Sequence, residues 1–412
     1  YAPAWAASAR AVTYLSESDF WEGLPEAEVA ELAQNYLNRA LALDPNLAEA
    51  YVAESALHWE HYRFEEALAS IERALAINSN LAVAHLERAW TLVSLGRIAE
   101  AKDSLLTAAD LDPLDLSILR RAIVLAQDFR DLMLLQEVER RLRQQNTKES
   151  RDLLKPASLI GFRMQEQNLA EVYRRFTHAV EDEAEGTPTR RRLEFLRGDM
   201  GLELNHRPES FILQARYPAM IRFISALAVE GNEAAAWERF EDLPPALQES
   251  PVVLEELSIL QMRQGDCEAG LASLEQAHGG RVPIYGQVAP SMHRSNANLA
   301  ANRVFCLRQL ERTDEAEAIL ASLRSYVDSL KASAPGGYDL LAIKLEILDG
   351  RTEIAMEMLE SAVRKRELEY LVWSDPLVKT LETQPAYAPL RQWLEATINA
   401  ERAELGWPAI EL

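Results

Sequence analysis

Three short strings of this chain recur at a fixed step. Ala-Leu-Asp-Pro-Asn (Ala42 to Asn46), Ala-Ile-Asn-Ser-Asn (Ala76 to Asn80) and Asp-Leu-Asp-Pro-Leu (Asp110 to Leu114) place Pro45, Ser79 and Pro113 34 residues apart. Small residues keep the same step: Ala33, Ala67 and Ala101, then Ala40, Ala74 and Ala108. Such a period marks a supersecondary unit stacked on copies of itself, each packing only on its neighbours. The small side chains let a second helix approach the first closely. Asp-Pro stops one helix and starts the next, because Pro supplies no N–H and disfavours helix in the residue before it. Gly96 suits a turn between two helices, where a left-handed residue ends the first.

Composition agrees with a helical, folded chain. Of 412 residues, 48% are hydrophobic and 26% charged, with only 16 Gly and 18 Pro. Ala, Leu, Glu and Arg are abundant, which favours helix over strand. The net charge of −22 argues against nucleic acid as a direct partner, since such binders carry a basic face. Two basic runs, Arg140–Arg141–Arg143 and Arg190–Arg191–Arg192, read as solvated helix faces diluted by nearby carboxylates. No apolar run reaches the ~18 residues of a membrane span, and no signal peptide is visible. The chain begins at Tyr1 rather than a methionine. It is therefore expected to be a processed fragment or a piece of a longer protein, with room for an anchor or effector domain before it.

The repeats divide the chain. Residues 1–145 hold N-terminal repeats, the first delayed by an insertion at 16–27 that carries Phe20 and Trp21. That loop reads as a simple extension or as a tip that folds over a groove or touches a partner. From 146 to 250 the period blurs while composition stays helical, so divergent repeats are expected, with pairs around Lys155 to Glu185 and Arg190 to Leu204. From 251 to 372 repeats return: Pro251 to Gln264 with Asp266 to Ala277, Ser291 to Leu310 with Asp314 to Leu330, and Tyr338 to Leu348 with Thr352 to Arg366. Asp266, Asp314 and Thr352 are candidate N-caps. Gly279 to Pro290 reads as a loop, and 373–412 as a capping segment.

The 34-residue period, with Ala48 to Leu81 and Ala82 to Asp115 as successive units, resembles the tetratricopeptide repeat family. Tyr51 and His85 stand where that family has its first large aromatic; Glu54 and Arg88 stand where it usually has Leu. The resemblance implies an all-α fold, a right-handed superhelix of antiparallel helix pairs (an α-solenoid), divergent in the middle. In such arrays the first helix of each pair lines a concave face. Counting along the helices puts Glu49, Val52, Ala53, Ala56 and Trp59 there, then Val83, Leu86, Glu87 and Trp90. Val52, Trp59, Leu86 and Trp90 are the candidate partner-binding residues. Family members that grip the C-terminal carboxylates of chaperones use Lys, Arg and Asn at such positions, which are absent here. An apolar, aromatic groove suits a hydrophobic protein segment or helix, either a partner's or one of the chain's own.

Other chemistry finds little support. His58 and His61 lie three apart, with Glu60 and His85 as further donors, but this is not a His-Glu-x-x-His pattern and packing is the simpler role. No phosphate-binding Gly loop, Gly-x-Ser-x-Gly or zinc-type Cys cluster occurs. No metal, cofactor or catalytic residue is therefore expected. Cys267 opens a second helix and Cys306 sits near the end of the next first helix, so both fall at the same end of the stack. Buried free thiols are the usual state of such residues. A disulfide is the other reading and implies an oxidising compartment.

A narrower likeness lies at the two ends. Tyr-Ala-Pro-Ala-Trp-Ala, the long first insertion and Leu43 to Ala50 resemble the C-terminal tetratricopeptide arrays of certain bacterial regulators. So do Trp373, Asp375, Pro376, Leu381, Pro385, Tyr387, Leu390, Glu401 and Arg402. Similar arrays follow a winged-helix DNA-binding domain and one membrane helix, or an adenylate-cyclase domain. The resemblance implies the signal-input half of a membrane-tethered regulator, periplasmic in the winged-helix case and otherwise cytoplasmic, with any membrane contact made through a preceding anchor. Three functions are weighed: a non-catalytic protein- or peptide-binding scaffold, a self-dimerising assembly domain, and last a helical enzyme with a concave small-molecule pocket.

Overall fold

The computed structural model describes residues 1–17, 26–60, 63–181, 233–249, 251–278, 296–333, 339–368 and 370–410. Most of these residues are helical, and no strand occurs among them. None of their helices is long and apolar enough to cross a membrane. The chain divides into two compact units, Tyr1–Val124 with Ala332–Ala334, and Leu125–Lys331 with Pro335–Leu412.

The first unit contains α1 (Ala2–Glu17), α2 (Glu26–Leu43), α3 (Ala48–Glu60), α4 (Phe64–Ile77), α5 (Ala82–Ser94), α6 (Ile98–Leu111) and the start of α7 (Leu116–Asp128). Helices pack in sequential pairs, α1 on α2, α3 on α4 and α5 on α6, and each pair packs on the next, as in a tetratricopeptide-like α-solenoid. The period is visible in the buried faces. In α4 the inward residues are Phe64, Ala67, Ser70, Ile71 and Ala74; in α6 they are Ile98, Ala101, Ser104, Leu105 and Ala108, the same five positions 34 residues on. Spacings of three and four keep these residues on one face of a helix.

The turns repeat as well. At the ends of α2, α4 and α6, the N–H groups of Asp44, Asn78 and Asp112 each donate to the carbonyl four residues back at 2.9 Å. The side chains of Asp44 and Asn78 then accept from the amides of Asn46 and Asn80. Such turns use the short polar side chain to hold the backbone while the chain reverses. Inside the pairs, Arg97 donates to Leu92, Asp131 to Ala126, Asp266 to Gln261, Arg312 to Leu307 and Arg351 to Glu346, each bond spanning five residues. The residue before each donor is left-handed: Gly96, Arg130, Gly265, Glu311 and Gly350. This is the helix-ending turn that favours glycine. Glu311, exposed and at φ 59°, adopts it with a side chain. Glu311→Gly is therefore expected to raise stability by about 1 kcal/mol. A urea-unfolding midpoint unchanged or lowered in the variant would contradict this.

The second unit contains α8 (Leu132–Gln145), α9 (Lys148–Gln165), α10 (Leu169–Ala179), α11 (Glu233–Glu241), α12 (Pro245–Gln248), α13 (Pro251–Arg263), α14 (Cys267–His278), α15 (Asn296–Gln309), α16 (Thr313–Ser333), α17 (Asp339–Leu348), α18 (Thr352–Arg364), α19 (Pro376–Lys379) and α20 (Tyr387–Glu404), with 3-10 turns at Tyr370–Ser374 and Thr380–Thr383. Side-chain caps start α8, α9 and α10, from Asp131, Thr147 and Asn168. Asp266 caps α14 through the amide of Ala269. Asp314 and Thr352 instead lie inside the first turns of α16 and α18, which begin at Thr313 and Thr352. Two contacts close this unit over long stretches of chain: Arg163 donates to the carbonyl of Arg366 across 203 residues, and Arg174 pairs with Glu404 across 230.

Candidate functional site

The first helices of the pairs in the first unit are α1, α3 and α5, and α7 follows them; those the repeat places on the inner face from Ala48 onward are α3, α5 and α7. The candidate residues on them separate into three situations. Val52 is fully buried and Leu86 is 6% exposed. Val52 packs with Ala74 and Ala84 in a small core between helices. Neither offers open surface, contrary to the sequence expectation. An inner helix is flanked by its partner and by the next inner helix, so only a narrow strip stays open, and counting along the helix does not fix where it falls. Trp59 is half-buried with its ring edge-on to Phe64, centroids 5.9 Å apart, and braces the end of α3 on α4. Trp90 is half-buried in α5 under the Arg121 guanidinium, 5.5 Å from its centroid. Its indole Nε1 is buried and donates to no acceptor among the described residues. Phe20 and Trp21 lie outside the described residues, as does the run Arg190 to Arg192.

Arg121 and the exposed Arg120 lie on α7, one step beyond the helices that begin at Ala48 and Ala82. The signal was available, since Arg121 stands 34 residues after Glu87. The strip around Trp90 is thus aromatic with a cation above it, not purely apolar. An Arg held over an indole face is a stabilising arrangement.

The departures from the family pattern have a physical reading. Glu54 accepts from the Ser70 hydroxyl at 2.8 Å, and Arg88 donates to the Ser104 hydroxyl at 2.5 Å and to Glu72 at 2.7 Å. Glu54 and Arg88 are equivalent positions, as are Ser70 and Ser104. A polar pair between the two helices of a unit stands where the family places an apolar contact. Tyr51 and His85 are likewise equivalent: each bonds the carbonyl six residues back, of Pro45 at 2.7 Å and of Ser79 at 3.0 Å. His85 is thereby engaged in closing a turn. Among the described residues no three His, Cys, Asp or Glu side chains gather as a metal site. Of the two basic runs, Arg140, Arg141 and Arg143 pair with Glu137 and Glu139 on their own helix. Arg140 holds Glu137 well down, at about 2.

The second unit holds polar groups that the sequence reading did not single out. Lys344 is fully buried on α17, its Nζ 2.6 Å from Asp375 and 2.9 Å from Asn302 Oδ1. Asp375 also accepts from the amides of Leu377 and Val378, capping α19. Burial pushes the ammonium below its usual range, and Asp375 opposes that shift. A lone Lys in the run Leu340 to Leu348 was the available signal. A second buried pair joins Arg366 to Glu401 at 2.9 Å.

Desolvation raises the carboxyls of Glu401 and Glu367; Arg366 opposes the first, while Asp339 adds to the second. An acid with a raised folded value takes its proton in the folded chain before the unfolded one does. Between the ordinary 4.5 and the raised values the folded state therefore holds more protons, and stability increases as pH falls. That gain is lost as pH rises through the folded values. Melting temperature is expected to rise as pH falls towards 4.5 from above, less steeply in Glu367→Gln. A flat profile, or an identical slope in the variant, would contradict it.

Cys267 and Cys306 are bonded to each other, with Cα atoms 5.0 Å apart and a separation of 39 positions in sequence. Cys306 is fully buried and Cys267 is 9% exposed. The arrangement ties the start of α14 to α15.

Helices paired and stacked at a fixed period define a helical-repeat scaffold. Residues 82–113, which comprise α5, α6 and the turn after them, match the family model of the tetratricopeptide repeat. No curated protein matches the chain.

Proposed function

We propose that this chain is a non-catalytic scaffold that holds a segment of another protein. We further infer that it is the sensor or interaction part of a larger bacterial regulator. The observation that carries the first reading is the tetratricopeptide repeat at 82–113, whose inner helix sets the half-open ring of Trp90 under Arg121. Tetratricopeptide repeats are protein-interaction modules, and inner-helix aromatics are the type of side chain that anchors a bound segment. A guest apolar residue meets the ring, and a guest carboxylate meets Arg121. The test is selection from a displayed peptide library, followed by amide hydrogen exchange. Selected peptides should protect α5 and α7 and lose about tenfold in affinity with Trp90→Ala. No enrichment, or protection away from α5 and α7, would sink this reading.

The regulator context rests on the resemblance of the chain's two ends. The disulfide adds support for a compartment, because such bonds persist in oxidising surroundings. We therefore read the array as periplasmic, as the winged-helix resemblance implies. Mass mapping of unreduced protein from cells should show the Cys267–Cys306 bond; two free thiols would remove the placement.

A further inference from the structure

After α20 the chain turns back on itself at Gly406, φ 74°. The Trp407 amide donates to the carbonyl of Arg402 at 2.9 Å, and residues 407–410 run back beside α20. One side chain then reads the main chain of Ile410 in both directions: Asn399 Nδ2 donates to its carbonyl and Oδ1 accepts from its amide, each at 2.8 Å. Arg402 Nε donates to the Pro408 carbonyl at 2.7 Å. Two side chains, three residues apart, find separate seats. Trp407 stands edge-on to Tyr173 of α10, centroids 4.7 Å apart, beside Phe162 and the core of α9 and α10. Ile410 packs against the core formed by α17, α18 and the capping segment. Gly406, Pro408 and Ala409 face outward.

This is how a peptide is recognised. Main-chain bonds supply affinity regardless of sequence, and spaced side-chain seats supply specificity. A tail serving only to cover a core needs no side-chain amide spent on both polar groups of one residue. We propose that Asn399, Arg402 and Tyr173 form a binding site for an extended Trp-Pro-x-Ile segment, filled within the chain by its own tail. The occupant it exchanges for is the tail of a second copy of this chain. The seated tail is the one segment on view that satisfies all three main-chain bonds and both seats. Exchange of an identical element between protomers is a low-cost route to dimers. The glycine at the turn lets the tail swing out without strain. This inference stands apart from the Trp90 site, which lies in the other unit.

The test has two arms. The full chain carrying Trp407→Ala and Ile410→Ala empties both side-chain seats and leaves its own tail only the main-chain bonds, so that an intact peptide competes for the vacated site. It should bind an acetylated, amidated peptide of residues 404–410 at micromolar concentration in fluorescence anisotropy, while the unaltered chain binds far less. Adding Asn399→Ala should weaken that binding about tenfold, for two lost hydrogen bonds. In the second arm the vacated variant is mixed with the Asn399→Ala chain, which keeps a good tail and a poor site. Light scattering should show a complex in the mixture and none in either variant alone. Absence of peptide binding to a folded vacated variant would overturn the site. Peptide binding without a mixed complex would overturn the second copy as its source. If the vacated variant does not fold, hydrogen exchange on the unaltered chain replaces it: a hundredfold excess of peptide should deprotect the Ile410 amide, and unchanged protection would overturn the proposal.

Discussion

Asp375→Ala is expected to destabilise the second unit by about 3–5 kcal/mol. The substitution strands the Lys344 ammonium, which has no exposure and keeps only Asn302 and the Asn298 carbonyl as partners of those described. It also removes the cap from α19. Lys344→Met should cost less, because Asp375 retains the two amides of Leu377 and Val378. That asymmetry distinguishes a buried pair from a generic core defect. Urea unfolding followed by tryptophan fluorescence is suited to it, since Trp373 lies two residues from Asp375 and packs edge-on to Tyr387. A loss below about 1 kcal/mol for Asp375→Ala, the range of exposed pairs, would show that the contact carries little.

Reduction of the Cys267–Cys306 bond is expected to have an effect of comparable size. Opening a closed loop of this length restores unfolded-chain entropy worth about 4 kcal/mol. The 39-residue separation sets that figure. A reducing agent should lower the urea midpoint of the unaltered chain and leave the Cys267→Ala, Cys306→Ala variant where it already lies. If reductant shifts both proteins equally, or neither, the bond is not what stabilises this end of the unit. Alanine is the suitable replacement, because Cys306 is fully buried and a serine hydroxyl there would have to find a partner.

The fold was legible because the repeat writes its turns and its close contacts in the same letters each time. Ala67 and Ala101 are small because a helix passes over them, and Asp44, Asn78 and Asp112 recur because each closes the same turn. Those requirements are local, and a local requirement shows in sequence. The open strip was not legible in the same way. Val52 and Trp90 both fall on inner helices, yet one is sealed and the other half-open, since neighbouring helices decide the matter. The cysteines illustrate a middle case. Their shared end of the stack followed from helix order, whereas thiol or disulfide depends on a separation that sequence does not state. Lys344 and Asp375 lay furthest from reach: a lysine among leucines is noticeable, but its partner waits beyond two helices. Asp375, Glu401 and Arg402 carry the resemblance of the capping segment, and all three are buried.

The contacts that close the second unit leave its length less free to change than that of the first. A gene that gains or loses 34 codons between Asp44 and Asp112 adds or removes one rung, and every turn finds the partner it had before. Between Arg163 and Arg366, or Arg174 and Glu404, chain can be inserted only where it loops away, because the ends must still meet. The first unit is therefore open to growth by duplication. The second is held at both ends, and a newly made chain cannot finish folding it until α20 has been synthesised.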